Sequence, residues 1–211
     1  MRKLFLGVFA SGRGSNFAAI LEAIKEDRLQ AGVKLLLSNN EEAGALSIAK
    51  DHGVSTAVVS KQTFASRDLF VDAMHSRLRE HGVEFIALAG YMKKVPPEII
   101  SAYKNSIVNI HPALLPLFGG KGMYGHRVHE AVLAQGCKVT GVTVHIVDEV
   151  YDHGPIVAQR CISVVEGDTP ESLAARVLRV EHKLYAETLQ LFAEGRVEVR
   201  GQRVFIREKK S

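Results

Sequence analysis

Cysteine is scarce in this chain. Cys137 and Cys161 are the only two, and their spacing suits neither a metal site nor a disulfide framework, as expected in a reducing cytoplasm. Long apolar runs are missing as well; none approaches the roughly 18 residues that span a bilayer. The opening Met1-Arg2-Lys3 and the run Leu4 to Ala10 imitate a signal peptide, but the run is short and meets no small-residue cleavage pattern, so it reads as a first core strand. A strong charge of either sign is also lacking. The formal net charge is +4, and its basic residues are scattered, which favours small anionic ligands weakly and nucleic acid hardly at all. The one short basic run, Arg207-Glu208-Lys209-Lys210, reads as a solvated end. Internal repeats, low-complexity segments and linkers are absent. What remains is an ordinary globular composition, 46% apolar and 24% charged, long enough for one α/β domain, or one domain plus a small appendage, that buries roughly 70% of its unfolded surface.

Apolar runs alternate with amphipathic stretches through the first half. Leu4 to Ala10, Val33 to Ser38, Thr56 to Val59, Phe85 to Ala89 and Ser106 to Ile110 read as strands. Asn16 to Glu26, Ala43 to His52, Ser66 to His81 and Pro97 to Ala102 carry apolar residues at three- and four-residue spacing and read as helices. Such βαβα order predicts a parallel sheet covered on both faces, with ligands outside the carboxyl ends of its strands. Two further strands, Val139 to Val147 and Ile156 to Val165, precede a long helix from Pro170 to Phe192. Thr169 is placed to cap that helix and Pro170 to start it. Val197 to Arg200 and Arg203 to Ile206 flank Gly201-Gln202 as a terminal hairpin.

Three segments carry chemistry. Asn109-Ile110-His111-Pro112 closes a buried strand, and the period of two sends Asn109 and His111 to one side. The prolines at 112 and 116 then end the ladder. An amide donor beside an imidazole suits a carbonyl whose oxygen gains charge during attack, although loop contacts could equally satisfy such a pair. Ser11-Gly12-Arg13-Gly14-Ser15-Asn16 follows the first strand and opens a helix, a place where free N–H groups and the helix dipole favour a phosphate. A tight capped turn without a ligand is the other reading. The third glycine of the dinucleotide fingerprint is missing, and Ser38-Asn39-Asn40 stands where a ribose-binding acid is expected, which argues against a nicotinamide cofactor. No Gly-Lys-Ser/Thr ending supports a triphosphate loop. In Asp148-Glu149-Val150-Tyr151-Asp152-His153-Gly154-Pro155, Asp152 is either available to orient His111 or part of a solvated acidic turn. His145 reads as a satisfied strand histidine and His153 as exposed. His126 and His129 fall in a glycine-flanked loop, where a structural role outweighs zinc.

Taken together, the segments 11 to 16, 109 to 116 and 152 to 155, with Ala89-Gly90-Tyr91-Met92 after the fourth strand, resemble the phosphoribosylglycinamide formyltransferase family. The resemblance runs from the first strand to the long last helix. It implies a three-layer αβα formyltransferase fold with a mostly parallel, Rossmann-like, seven-stranded sheet. One domain is expected, with a phosphate-binding half at 1–105 and a catalytic, folate-binding half at 106–211. The implied activity is transfer of a formyl group from 10-formyltetrahydrofolate, as cosubstrate, to the amine of glycinamide ribonucleotide in purine biosynthesis, without a metal. Asn109, His111 and Asp152 match the family's catalytic residues, Asp152 being expected to keep His111 protonated. Gly12, Arg13, Gly14, Ser15 and Asn16 match the phosphate loop, and Glu181 a ribose-binding glutamate. Arg67, Met92, Lys93, Val95, Asn109, Val147, Asp148 and Asp152 match the folate side. The implied enzyme is cytoplasmic, a monomer or homodimer, with small-molecule substrates and neither nucleic-acid nor membrane partners.

Two departures stand out. Lys93 replaces an arginine common in relatives, keeping the charge but losing the bidentate fork. The segment Leu117 to His129 is longer than in some relatives and could cover the site or decorate its rim. Methionyl-tRNA formyltransferase carries a further tRNA-binding domain and formyltetrahydrofolate deformylase an amino-terminal regulatory domain. A chain of this length that opens directly on a strand is expected to be neither. A non-enzymatic nucleotide-binding module would need the phosphate loop without the three catalytic residues.

Overall fold

The alternation of apolar runs and amphipathic stretches translates directly into strands and helices. The computed structural model describes residues 3–209; Met1, Arg2 and Lys210, which belong to the segments read above as a false signal and a basic tail, lie outside them with Ser211. Two compact units divide between Val108 and Asn109. The first contains β1 (Leu4–Phe9), α1 (Ser15–Lys25), β2 (Ala31–Ser38), α2 (Gly44–Asp51), β3 (Thr56–Val58), α3 (Arg67–Glu80), β4 (Phe85–Leu88), α4 (Pro97–Ala102) and the start of β5 (Ile107–His111). The second contains the end of β5, α5 (His126–Ala134), β6 (Val139–Ile146), β7 (Ile156–Ser163), α6 (Pro170–Ala193), β8 (Val197–Arg200) and β9 (Arg203–Ile206).

Seven strands follow the order β3-β2-β1-β4-β5-β6-β7, and β8-β9 form a separate hairpin. In the first unit β1 pairs in parallel with β2 and β4, and β2 in parallel with β3. The chain therefore moves outward from β1 to β3 and returns to β4 on the other side of β1. Right-handed crossovers in opposite directions place α1 and α2 on one face and α3 on the other. The reversal between β1 and β4 opens a crevice at their carboxyl ends, where ligands of such sheets bind. Phe9, Phe17, Leu36, Met74 and Ile86 are fully buried in this unit, each worth about 1.5–3 kcal/mol relative to exposure.

In the second unit, β6 and β7 are antiparallel, and α6 packs on both and on α5. Its buried stripe is Leu173, Val177, Leu184, Tyr185 and Leu189. Thr169 caps α6 through Ser172, which returns the bond to the Thr169 N–H, so both predicted start signals hold.

Helix α5 corrects the sequence reading. His126 and His129 occupy its first turn rather than a loop. The glycines at 119, 120, 122 and 125 mask the short periodic stretch that follows, in which Val128, His129 and Val132 are buried. Strand β5 also reaches His111, one residue beyond the predicted end. Among the described residues no helix is long and apolar enough to cross a membrane.

Candidate active site

Strand β5 ends with Asn109 and His111 on the same side because successive side chains alternate. Both meet Asp152, which the loop after β6 presents from a left-handed backbone at φ 54°. His111 Nδ1 lies 3.7 Å from Asp152 Oδ2, and Asn109 Nδ2 lies 3.4 Å from Oδ1. His111 is 3% exposed, and its Nε2 lies 2.8 Å from the Phe118 carbonyl oxygen. A carbonyl can only accept, so Nε2 carries a proton and donates it there. Gly120 N–H donates to Asp152 Oδ2 at 2.8 Å. The carboxylate is thus held on both oxygens.

Burial lowers the His111 pKa below its ordinary value; the Asp152 charge and the Phe118 carbonyl oppose that shift without overcoming it. Asp152 acts in the expected direction, favouring the protonated ring, and burial acts against it. Removal from water penalises the imidazolium more than one carboxylate 3.7 Å away restores it. Burial pushes Asp152 up, but His145, His111 and the Gly120 N–H together hold it below its ordinary value.

His145 belongs to this cluster, although the sequence reads it as an ordinary strand residue. It is 2% exposed. Its Nδ1 donates to Ile146 O at 2.9 Å, and its Nε2 lies 3.1 Å from Asn109 Nδ2 and 3.5 Å from Asp152 Oδ1. That contact settles which face of the Asn109 amide points inward. No spacing within one segment could reveal it, because β5 and β6 are joined only through tertiary structure. His129, on α5, is also buried, and burial, followed by the charges of His126 and His111, pushes its pKa down to about 4. His153 is exposed and pairs with Asp148 at 2.8 Å, while Val147 and Asp148 occupy the turn out of β6.

In the first unit, Gly12 and Arg13 are exposed, Gly14 is buried, and Ser15 and Asn16 open α1. Gly14 is the N-cap at φ 83°, with no side-chain cap. A Cβ there would sit 2.8 Å from the Ala45 Cα and Cβ, so glycine is required for α1 and α2 to approach. Ser11 ties the loop to the neighbouring strand ends. Its N–H donates to Gly90 O at 3.0 Å, its hydroxyl donates to Asn39 Oδ1, and it accepts from Met92 N–H at 2.8 Å.

A cleft of about 430 Å³ in the same unit is lined by Asn39, Lys61, Arg67, Tyr91, Lys93 and Val95, among others. It brings together three of the four folate-side residues expected in this unit, and the fourth, Met92, is half exposed beside them. Arg67 already grips Glu98 with both arms, at 2.7 and 2.8 Å. The sequence does not mark Lys61 and Tyr91 as lining residues; Lys61 reaches the cleft from a short 3-10 turn after β3 and Tyr91 from the loop after β4. Glu181 is buried on α6 in the second unit. Among the described residues no three His, Cys, Asp or Glu side chains group as metal ligands.

Comparison with known proteins gives this geometry a context. The formyl transferase family model matches residues 6–189. A chloroplastic phosphoribosylglycinamide formyltransferase of Vigna unguiculata is 45% identical over 93% of this chain and 63% of its own length. The phosphoribosylglycinamide formyltransferase of Bacillus subtilis is 39% identical over 87% of this chain and 91% of its own. The chain thus spans less than two thirds of the plant relative and nearly all of the bacterial one. Glycinamide ribonucleotide transformylase 1 of Symbiobacterium toebii superposes with a TM-score of 0.91 and 39% identity, over 98% of this chain and 95% of that one. The chain therefore belongs to the formyl transferase family and, within it, to the phosphoribosylglycinamide formyltransferases.

Proposed function

We propose that this chain transfers the formyl group of 10-formyltetrahydrofolate directly to the amine of glycinamide ribonucleotide, in the cytoplasm and as a step of purine biosynthesis. The observation that carries the reading is the buried cluster of Asn109, His111 and Asp152, in a chain whose family performs formyl transfer. Two free cysteines suit a reducing compartment. In this reading the chain is one formyltransferase domain, with a phosphate-binding half followed by a catalytic and folate-binding half.

The chemistry follows from what each side chain can give or take. The substrate amine attacks the formyl carbon, a new N–C bond forms, and the carbonyl oxygen becomes an oxyanion. One Asn109 N–H is committed to His145; the other, held only at 3.4 Å from Asp152, is free to turn to that oxygen. The attacking amine must lose a proton, and neutral His111 Nδ1 can take it. Asp152 then stabilises the transient imidazolium. As the bond between the formyl carbon and folate N10 breaks, N10 receives the proton, and His111 returns to its resting state.

Gly12, Arg13, Gly14, Ser15 and Asn16 are proposed to receive the ribonucleotide phosphate, because the α1 N-terminus presents the positive end of its dipole beside a buried glycine that permits close approach of the backbone. Glu181 is assigned to the ribose. On the folate side, Arg67, Met92, Lys93 and Val95 are proposed to meet the cosubstrate, with Val147 and Asp148 on the loop that carries Asp152.

The deciding assay supplies 10-formyltetrahydrofolate with glycinamide ribonucleotide, water or initiator tRNA as acceptor. Formyl consumption is expected only with the ribonucleotide, since its bound phosphate and ribose position the amine, whereas water has no such handle. Rapid formate release without it would replace this reading with a deformylase.

A further inference from the structure

The cleft in the first unit is rich in cations, and one of them is already engaged. Arg67 stands at the first position of α3, where its Nη1 and Nη2 donate to Oε1 and Oε2 of Glu98 at 2.7 and 2.8 Å. Lys61, Lys93 and Lys94 line the same cleft and, among the described residues, pair with no carboxylate. Glu98 thus gives Arg67 the planar, two-oxygen anion that the glutamate tail of a folate also offers. We propose that Glu98 is a specificity-determining residue for the formyl donor: it competes with the tail carboxylates for the Arg67 fork and so sets how tightly the donor is held. This deepens the folate reading of the cleft and rests on it.

Local structure places the competitor. Ser66 caps α3 by accepting from the Leu69 N–H, which sets Arg67 at the helix start. Pro96 and Pro97 lead into α4, and Glu98 falls in its first turn, where the positive end of the helix favours a carboxylate. The two helices pack on each other, so residues 31 positions apart meet. Both side chains are about half exposed, 49% for Arg67 and 43% for Glu98. Water therefore screens the pair, and an incoming carboxylate displaces Glu98 at small cost; a buried pair would resist such an exchange. Lysine presents a point charge without a fork. Lys61, Lys93 and Lys94 can draw an anionic tail into the cleft, but of these four cations only Arg67 can hold a carboxylate on both oxygens.

Calorimetric binding of 10-formyltetrahydrofolate to the full chain, without the acceptor, tests this. Glu98→Gln keeps the shape and removes the charge; it is expected to lower the Kd of the donor roughly two- to fivefold, while the KM for glycinamide ribonucleotide stays within about twofold. The gain should vanish for 10-formyltetrahydropteroate, which lacks the glutamate tail, and in an Arg67→Ala background, where the fork is gone. It should also shrink in 0.5 M salt. An unchanged or raised Kd in Glu98→Gln, a gain retained with the tailless donor, or a gain that persists without Arg67 each overturns the proposal. If Arg67→Ala does not fold, the comparison of the two donors decides alone. A wild type with no affinity for the folate removes the folate reading itself, whereas a wild type that binds it and does not respond to Glu98→Gln removes only the competition, so the two failures are distinguishable.

Discussion

At the scale of single residues, the two nitrogens of His111 have different tasks. Nε2 is spent on a backbone carbonyl, and Nδ1 faces a carboxylate. Burial holds the ring below its ordinary pKa of 6.5, which sets the sign of the pH dependence. A base must be neutral to accept a proton, so kcat/KM should rise as pH increases through the lowered His111 pKa and then level off. The acid limb of a pH–rate profile is expected to have its midpoint below 6.5; activity falling with rising pH through that region would instead require a permanently charged His111. Replacing His111→Asn should reduce kcat by about a hundredfold or more with ribonucleotide affinity nearly intact, because the loss falls on proton transfer. Steady-state kinetics with calorimetric binding on a natively folded variant checks it. Asn109, His111 and Asp152 are all visible in the sequence as motif residues, whereas His145 is not, since its partner Asn109 lies 36 positions earlier.

At the scale of elements, the loop from β1 into α1 ties packing to the proposed phosphate site. Gly14→Val forces a β-branched residue into a left-handed conformation and drives its Cβ into Ala45. Strain and overpacking together should cost about 2 kcal/mol or more, read as a lower midpoint in urea. The same change should weaken glycinamide ribonucleotide by blocking close backbone approach, while folate affinity stays near wild type. Calorimetry showing folate lost and ribonucleotide retained would reverse the assignment of the two binding regions. Most elements are legible from their period, with the N-cap of α6 and the terminal hairpin at the predicted positions. Helix α5 is not, because a run with four glycines before it weakens the local signal that a helix is about to start.

At the scale of the whole molecule, a +4 net charge conceals several strongly held carboxylates. Asp168 is lowered to about 2, first by Arg176 and also by the Val165 N–H and Ser172. Glu194 is lowered to about 2, chiefly by Gln190 and Arg196, and Glu198 to about 2 by Arg200 and Arg207. A carboxyl whose folded pKa is depressed contributes stability above its unfolded pKa and loses it as pH falls through the folded one. The contribution should therefore disappear between about pH 4.5 and 2, and 0.5 M salt should diminish chiefly the share of Glu198, whose arginine partners are exposed, whereas the Asp168 and Glu194 carboxylates are largely covered. Thermal unfolding across that range checks the prediction; a Tm independent of pH and salt below 4.5 contradicts it.

The sequence alone determined the alternation of strands and helices, the order of the motifs and the chemistry each could carry, because periodicity, capping and turn preferences act over a few residues. Tertiary structure decided which groups meet and in what state. The downward pull on the His111 pKa depends on burial summed over distant elements, the proton on its Nε2 on one carbonyl seven residues away, and the orientation of Asn109 on a histidine from another strand. Desolvation and hydrogen-bond direction are properties of the folded environment, and no linear spacing encodes them.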